Sequence, residues 1–194
     1  GDERTVARTL LFLGDLLLWQ GASERAATLL EECLALYEQM GERWSMAGAL
    51  YALGDVARLR GDTQRALAHQ QLALALYQEL DSEPEIPYAL EALALVAAEQ
   101  GQYQRATHLW GAASAVRDDV HVPLQPSYVT DHAPTLETVR TALGEEAYAI
   151  AWAEGRAMTL VQALALAGKE IPSAGTPPAA PLSAGGEPGL PRQP

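Results

Sequence analysis

Seven columns of matched residues recur every 40 positions, and nothing else in this 194-residue chain restricts its fold as tightly. Gly21, Gly61 and Gly101 mark the register. Four residues beyond each glycine stand Arg25, Arg65 and Arg105, followed directly by Ala26, Ala66 and Ala106. Upstream lie Leu10, Leu50 and Leu90, then Leu13, Leu53 and Leu93; downstream come Ala35, Ala75 and Ala115 beside Leu36, Leu76 and Val116. A fixed period of roughly 20–50 residues marks a chain built of stacked supersecondary units, none of which can bury its apolar face alone.

Each unit reads as two helices. The first carries apolar residues at helical spacing, as in Leu50, Leu53, Val56 and Ala57, and stops at the glycine, which takes the left-handed conformation without a Cβ penalty. The second restarts within a few residues, with Ser23 and Thr63 as expected N-caps. Gly41-Glu42 and Asp81-Ser82-Glu83-Pro84 punctuate the units, Pro84 and Pro87 suiting a helix start. The expected fold is therefore all-α, with units at about 3–41, 42–81 and 82–118 within a repeat region 1–118.

Leu10-x2-Leu13-Gly14-x2-Leu17 followed by Ala26-x3-Leu30 resembles the tetratricopeptide consensus, with Leu in place of its aromatics; Leu50-x2-Leu53-Gly54 with Ala66, and Leu90-x2-Leu93-Ala94 with Ala106-x3-Trp110, repeat it. The resemblance implies an α-α superhelix in which the small residues let paired helices approach closely. Two features depart from the pattern. The period is 40 rather than about 34, so the helices or the turns are longer. Gln70 replaces a large apolar residue, which predicts a looser or solvated contact there. HEAT and armadillo arrays share a period in this range and are the structural alternative.

Composition agrees with helix and narrows the function. Ala and Leu dominate, Phe12 is the one phenylalanine, and few segments carry the β-branched enrichment of strands. The net charge of -12 and the single lysine, Lys169, argue against a nucleic-acid surface or an anionic membrane. No apolar run reaches the ~20 residues of a membrane span. Cys33 is alone, which suits a reducing compartment and a small buried side chain.

Beyond Asp118 the register ends. A proline-bearing loop is expected over 119–133, capping helices over 134–170 (about 135–143, 145–157 and 159–168), and a disordered Pro/Gly/Ala-rich tail over 171–194. Within this part Leu109-Trp110-Gly111-Ala112-Ala113, Leu143-Gly144-Glu145-Glu146-Ala147-Tyr148 and Ala151-Trp152-Ala153-Glu154-Gly155-Arg156-Ala157-Met158-Thr159-Leu160 resemble the end of a sensor region in large bacterial regulators. Those regulators join a tetratricopeptide array to an upstream STAND-type ATPase, and many continue into a LuxR-type helix-turn-helix domain. Gly189-Leu190-Pro191-Arg192 is similar to the start of that last domain, or matches it by chance. The resemblance implies a cytoplasmic arm that senses a partner or effector and regulates an ATPase; no catalytic residue of the family falls here.

Chemistry of other kinds has little footing. His121 and His132 share a segment with Asp118, Asp119 and Asp131 but match no zinc spacing, so neither metal nor cofactor is expected. No nucleophile-elbow sequence or phosphate-cradling glycine loop is present, and the chain reads as non-catalytic. Trp110 and Trp152 read as core. In a tetratricopeptide array the first helices line the concave groove, which implies a binding face of Arg8, Asp15, Tyr51, Asp55, Arg58, Tyr88 and Glu91, with Leu11, Leu18, Gly48, Leu95 and Ala98 between them. The expected occupant is a protein, a peptide or a small effector, and the alternative is an oligomerisation or spacer arm with no ligand.

Overall fold

The computed structural model describes residues 2–124 and 126–168, and the expected tail at 171–194 lies outside them. Three helical hairpins follow one another: α1 (Asp2–Trp19) with α2 (Ser23–Met40), α3 (Arg43–Leu59) with α4 (Thr63–Glu79), and α5 (Ile86–Glu99) with α6 (Tyr103–Asp119). Then come α7 (Pro126–Leu143), α8 (Glu145–Arg156) and α9 (Leu160–Ala167). Partners in each hairpin pack together, α2 packs on α3, α4 on α5, and α8 on α6, while α7 and α9 lean on the last hairpin. This is a tetratricopeptide-like helical superhelix. The 40-residue period is taken up in helix length, since α1 to α4 run 17–18 residues.

The turns explain the register. Gly21, Gly61 and Gly101 have φ of 74°, 76° and 72°. Each donates its N–H to the carbonyl three residues back, and the next residue donates to the carbonyl five back, as in Asp62 to Ala57 at 2.9 Å and Gln102 to Ala97 at 2.9 Å. The same turn recurs between hairpins at Gly41, Asp81 and His121, with φ of 66°, 50° and 57°. Only the first of these is a glycine. Asp and His tolerate the left-handed region better than most residues, which is why this second set of turns escapes a search for glycines.

Core packing follows the columns. Leu50, Leu53, Leu90 and Leu93 are buried, as are Ala26, Ala66 and Ala106. A Cβ on Gly14 would sit 2.6 Å from Leu30, and one on Gly54 would run into Gln70, so at both positions a larger residue would have to displace the facing side chain. Gln70 is thus not loose or solvated. It is 1% exposed, and its Nε2 donates to the Tyr51 carbonyl at 3.0 Å, lying across Gly54 where Leu30 lies across Gly14. A buried amide needs such a partner. Cys33 is buried, donating from Sγ to the Ala7 carbonyl at 3.2 Å.

Three further expectations are corrected. Leu13 shares a column with Leu53 and Leu93 but is 42% exposed, because no helix precedes α1 among the described residues. Ser23 and Thr63 are the first residues of their helices rather than caps. The residue before Thr63, Asp62, caps α4 by accepting from the Arg65 N–H at 3.1 Å, while Ala22 offers α2 no side-chain cap. Finally, the loop expected through residue 133 ends early, since α7 begins at Pro126. Proline costs nothing in the first helical turn, and Pro134 is carried inside the helix.

The closing end is built on a tight crossing. A Cβ on Gly111 of α6 would meet the Trp152 carbonyl oxygen at 2.5 Å, and one on Gly155 of α8 would run into the backbone of His108. The two glycines let the backbones of α6 and α8 touch. Trp110 is buried and Trp152 partly so, stacked on Tyr148 with ring centroids 5.9 Å apart. Across the junction His108 Nε2 meets Glu154 at 2.8 Å, and Arg156 reaches Ser114 and Asp118 at 2.7 and 2.9 Å. Thr159 and Gln162 form a reciprocal capping box at the start of α9.

Candidate functional site

The face lined by α1, α3 and α5 carries two clusters of polar side chains. In the first, Arg58 Nη1 donates to Glu99 Oε1 at 2.7 Å, and its Nε lies 3.6 Å from Asp55 Oδ1. Burial presses the Arg58 pKa down, but Asp55 and Glu99 more than offset it and hold the guanidinium charged. Asp15, one repeat earlier in the same column as Asp55, completes the group. Burial and repulsion by Asp55 push the Asp15 carboxyl up to about 6 from 3.8. Burial also pushes Asp55 up to about 6, against the pull of Arg58. No ion pair from a described residue reaches Asp15, so one carboxylate of the pair lacks a counter-ion.

In the second cluster Arg117 Nη2 donates to Glu91 Oε2 at 2.6 Å, with both side chains buried, and its guanidinium stands 4.5 Å over the Tyr88 ring. Tyr51 lies between the clusters. Burial first, then the charges of Asp55 and Glu91, raises its phenol pKa well above the ordinary value. The pair ties α5 to α6 through Nη2 alone, since Nε and Nη1 of Arg117 are buried without a hydrogen-bond partner among the described residues, so its desolvation is only partly offset. Such a pair orders the face rather than reacting.

Six of the seven residues picked from the sequence are thus brought together: Asp15, Tyr51, Asp55, Arg58, Tyr88 and Glu91. Arg8 stands apart, exposed in a shallow depression with Glu3, Arg4, Thr5 and Met40. Two residues of the clusters were not anticipated. Glu99 is the last residue of α5, in the column of Trp19 and Leu59, so no acidic pattern announces it. Arg117 belongs to a second helix, outside the set that lines a groove, and reaches the face from the end of α6. Neither has a column signal.

Other concave regions offer less. A cleft between α2, α3 and α4 is lined by Glu31, Arg60, Asp62, Arg65 and His69 over an apolar floor, and burial followed by Arg65 lowers the His69 pKa. Among the described residues no three His, Cys, Asp or Glu side chains converge as a metal site. His121 instead holds its left-handed turn, its Nδ1 2.8 Å from the Asp118 carbonyl. No described helix is long and apolar enough to cross a membrane.

Residues 6–40, which span most of the α1–α2 hairpin, match the family model described as Tetratricopeptide repeat. The later hairpins repeat its turns and columns. No curated protein matches the chain. Tetratricopeptide repeats generally mediate protein–protein interaction, and the fold carries such a module.

Proposed function

We propose that the α1–α3–α5 face is a non-catalytic recognition groove that takes a peptide segment of a partner protein and seats a cationic side chain between Asp15 and Asp55. One observation carries this reading: Asp15 and Asp55 stand in one column of the groove, Asp55 has the Arg58 guanidinium 3.6 Å away, and Asp15 has no ion-pair partner among the described residues. A lysine or arginine from a partner would supply the missing charge, with the half-buried Tyr51 and Tyr88 beside it. The wider setting suggested by residues 109–113 and 143–160 is a cytoplasmic regulator of the STAND-ATPase and LuxR type, with this module as its sensor arm.

The test uses labelled short peptides that differ only in one central residue, Lys, Arg, Ala or Glu. Saturable binding of the Lys and Arg peptides, lost in Asp15→Asn/Asp55→Asn and weaker at pH 5 than at pH 7.5, is the expected result. The sign follows from the raised pKa values: below about 6 both carboxyls are protonated, and the attraction to a cation fades. Equal binding of the Glu peptide, or indifference to the double substitution, would count against the groove. The regulator setting is tested by reading the coding sequence on both sides of this chain for an ATPase and a helix-turn-helix domain.

A second reading is a spacer arm that binds nothing, favoured by Glu91 and Arg117, whose charges are paired within the chain. It predicts no saturable peptide binding at any pH.

A further inference from the structure

The cleft between α2, α3 and α4 has a counterpart one repeat later, between α4, α5 and α6, and α9 fills only the later one. There α9 packs on α5 and α6, with Ala163 and Ala167 buried. Arg105 Nη2 donates to the carbonyl oxygens of Leu166 and Ala167 at 3.0 and 3.5 Å, and Gln71 Nε2 donates to the same Ala167 oxygen at 3.1 Å. Carbonyls at a helix end carry partial negative charge. A seat of this shape therefore takes apolar groups on its floor and acceptor oxygens at its guanidinium. Arg105 and Gln71 converge on one atom.

The earlier cleft is open, with a volume of about 240 Å³. Its three helices are packed as their counterparts are, so it is not the bare end of a stack. The register keeps the floor and the guanidinium: Leu53, Val56 and Ala57 repeat as Leu93, Val96 and Ala97, and Arg65 as Arg105. Two changes matter. Ala27 stands where Leu67 does, which leaves room, and Glu31 stands where Gln71 does, which replaces a donor by a charged acceptor. Among the described residues the ion-pair partner of Arg65 is Asp62, 3.9 Å away, and that carboxylate already caps α4. A helix end would thus meet Arg65 well and Glu31 badly. Around the cleft the guanidinium groups of Arg60 and Arg65 balance the carboxylates of Glu31 and Asp62, while burial and then Arg65 hold the His69 pKa down and its ring neutral. This pattern suits a ligand that carries both charges on neighbouring atoms beside an apolar group. The volume lies below the ~300–1,000 Å³ of pockets for drug-sized ligands, so the ligand is small.

We propose that the cleft between α2, α3 and α4 binds a free α-amino acid with an aliphatic side chain, its carboxylate on Arg65 and its ammonium on Glu31. The cleft shares no residue with the groove clusters, so either site can fail without the other. The probe is L-leucine, followed through the His69 ring signals in NMR spectra of the 194-residue chain, with His69→Gln to assign them. Leucine should shift them saturably by ~10 mM, where a ligand of Kd ~1 mM is nearly fully bound. Glu31→Gln and Arg65→Gln, both at exposed positions, should each weaken binding about fivefold or more with an unchanged helical circular-dichroism spectrum. N-acetyl-leucine, which lacks the ammonium, and leucine amide, which lacks the carboxylate, should lose as much on the parent chain. Glu31→Gln should also reverse the preference and take N-acetyl-leucine better than leucine, because it restores the donor pair that holds α9. No saturable shift, or equal leucine affinity in either variant, would overturn the proposal. So would N-acetyl-leucine amide binding as well as leucine, which would give the cleft to a peptide segment instead.

Discussion

At Gly14 and Gly54 a helix approaches the side chains of its hairpin partner, whereas at Gly111 and Gly155 it approaches a backbone. Leu30 and Gln70 can turn away from an added methyl group; the Trp152 carbonyl and the His108 main chain cannot move without carrying a helix with them. Glycine is useful for fine packing inside the repeats and indispensable where the stack is closed. The closing end is correspondingly cross-tied by side chains, with His108–Glu154 and Arg156–Asp118 spanning the same junction.

The sharpest way to break this contrast is Gly155→Ala. Because the new methyl group meets backbone, the cost is expected at about 3 kcal/mol or more, with α8 and α9 loosened first. Thermal melting together with hydrogen exchange of α8 amides checks it, and a variant that melts like the parent would show that the crossing is wider than described.

Gly54→Ala should cost less, about 1–2 kcal/mol, mostly through displacement of Gln70 from the Tyr51 carbonyl. Removing the obstacle sharpens the point: in a Gln70→Ala background the same substitution should be nearly free, a coupling that a double-mutant cycle measures.

The repeats also differ across the groove, where one column reads Asp15, Asp55 and Leu95. The folded chain holds protons on both carboxyls up to about 6, against 3.8 for an ordinary aspartate, so it binds them more tightly than the unfolded chain. Stability should therefore fall as pH rises from about 4 to about 6 and then level. Asp15→Asn should flatten that dependence and gain about 1 kcal/mol at pH 7.5, after allowance for solvent screening. Melting curves at pH 4.5 and 7.5 test both statements.

The smallest expected effect lies at the second set of turns. Asp81 takes a φ of 50° in the position that Gly41 fills one repeat earlier. Asp81→Gly should stabilise by up to ~1 kcal/mol as the left-handed strain is relieved, while Gly41→Asp should destabilise by a similar amount.

These contrasts also mark what a sequence records. The hairpins were legible because each close contact leaves two matched residues, such as Gly54 and Ala66, at a fixed spacing. Burial was less so: Leu13 has the same identity as Leu53, and only the absence of a covering helix makes it exposed. Columns describe a helix, not its neighbours. The break at Asp81 was legible, but its left-handed conformation and the turn at His121 were not, because backbone conformation there is imposed by the packing of adjacent hairpins rather than by residue type. The groove was legible where first helices supply it and illegible at Arg117, which arrives from a second helix. The N-terminal part of α7 was masked by its prolines, which signal both loops and helix starts.

Nesting of equivalent hairpins is the claim on which the account rests, and distances between spin labels test it directly. Labels at Glu24 and Gln64, and at Gln64 and Gln104, occupy exposed, equivalent positions on α2, α4 and α6. Two helix layers separate each pair, so both distances should fall near ~20 Å between backbones and agree closely with each other. Two clearly different spacings, or a broad distribution for either pair, would contradict the repeat.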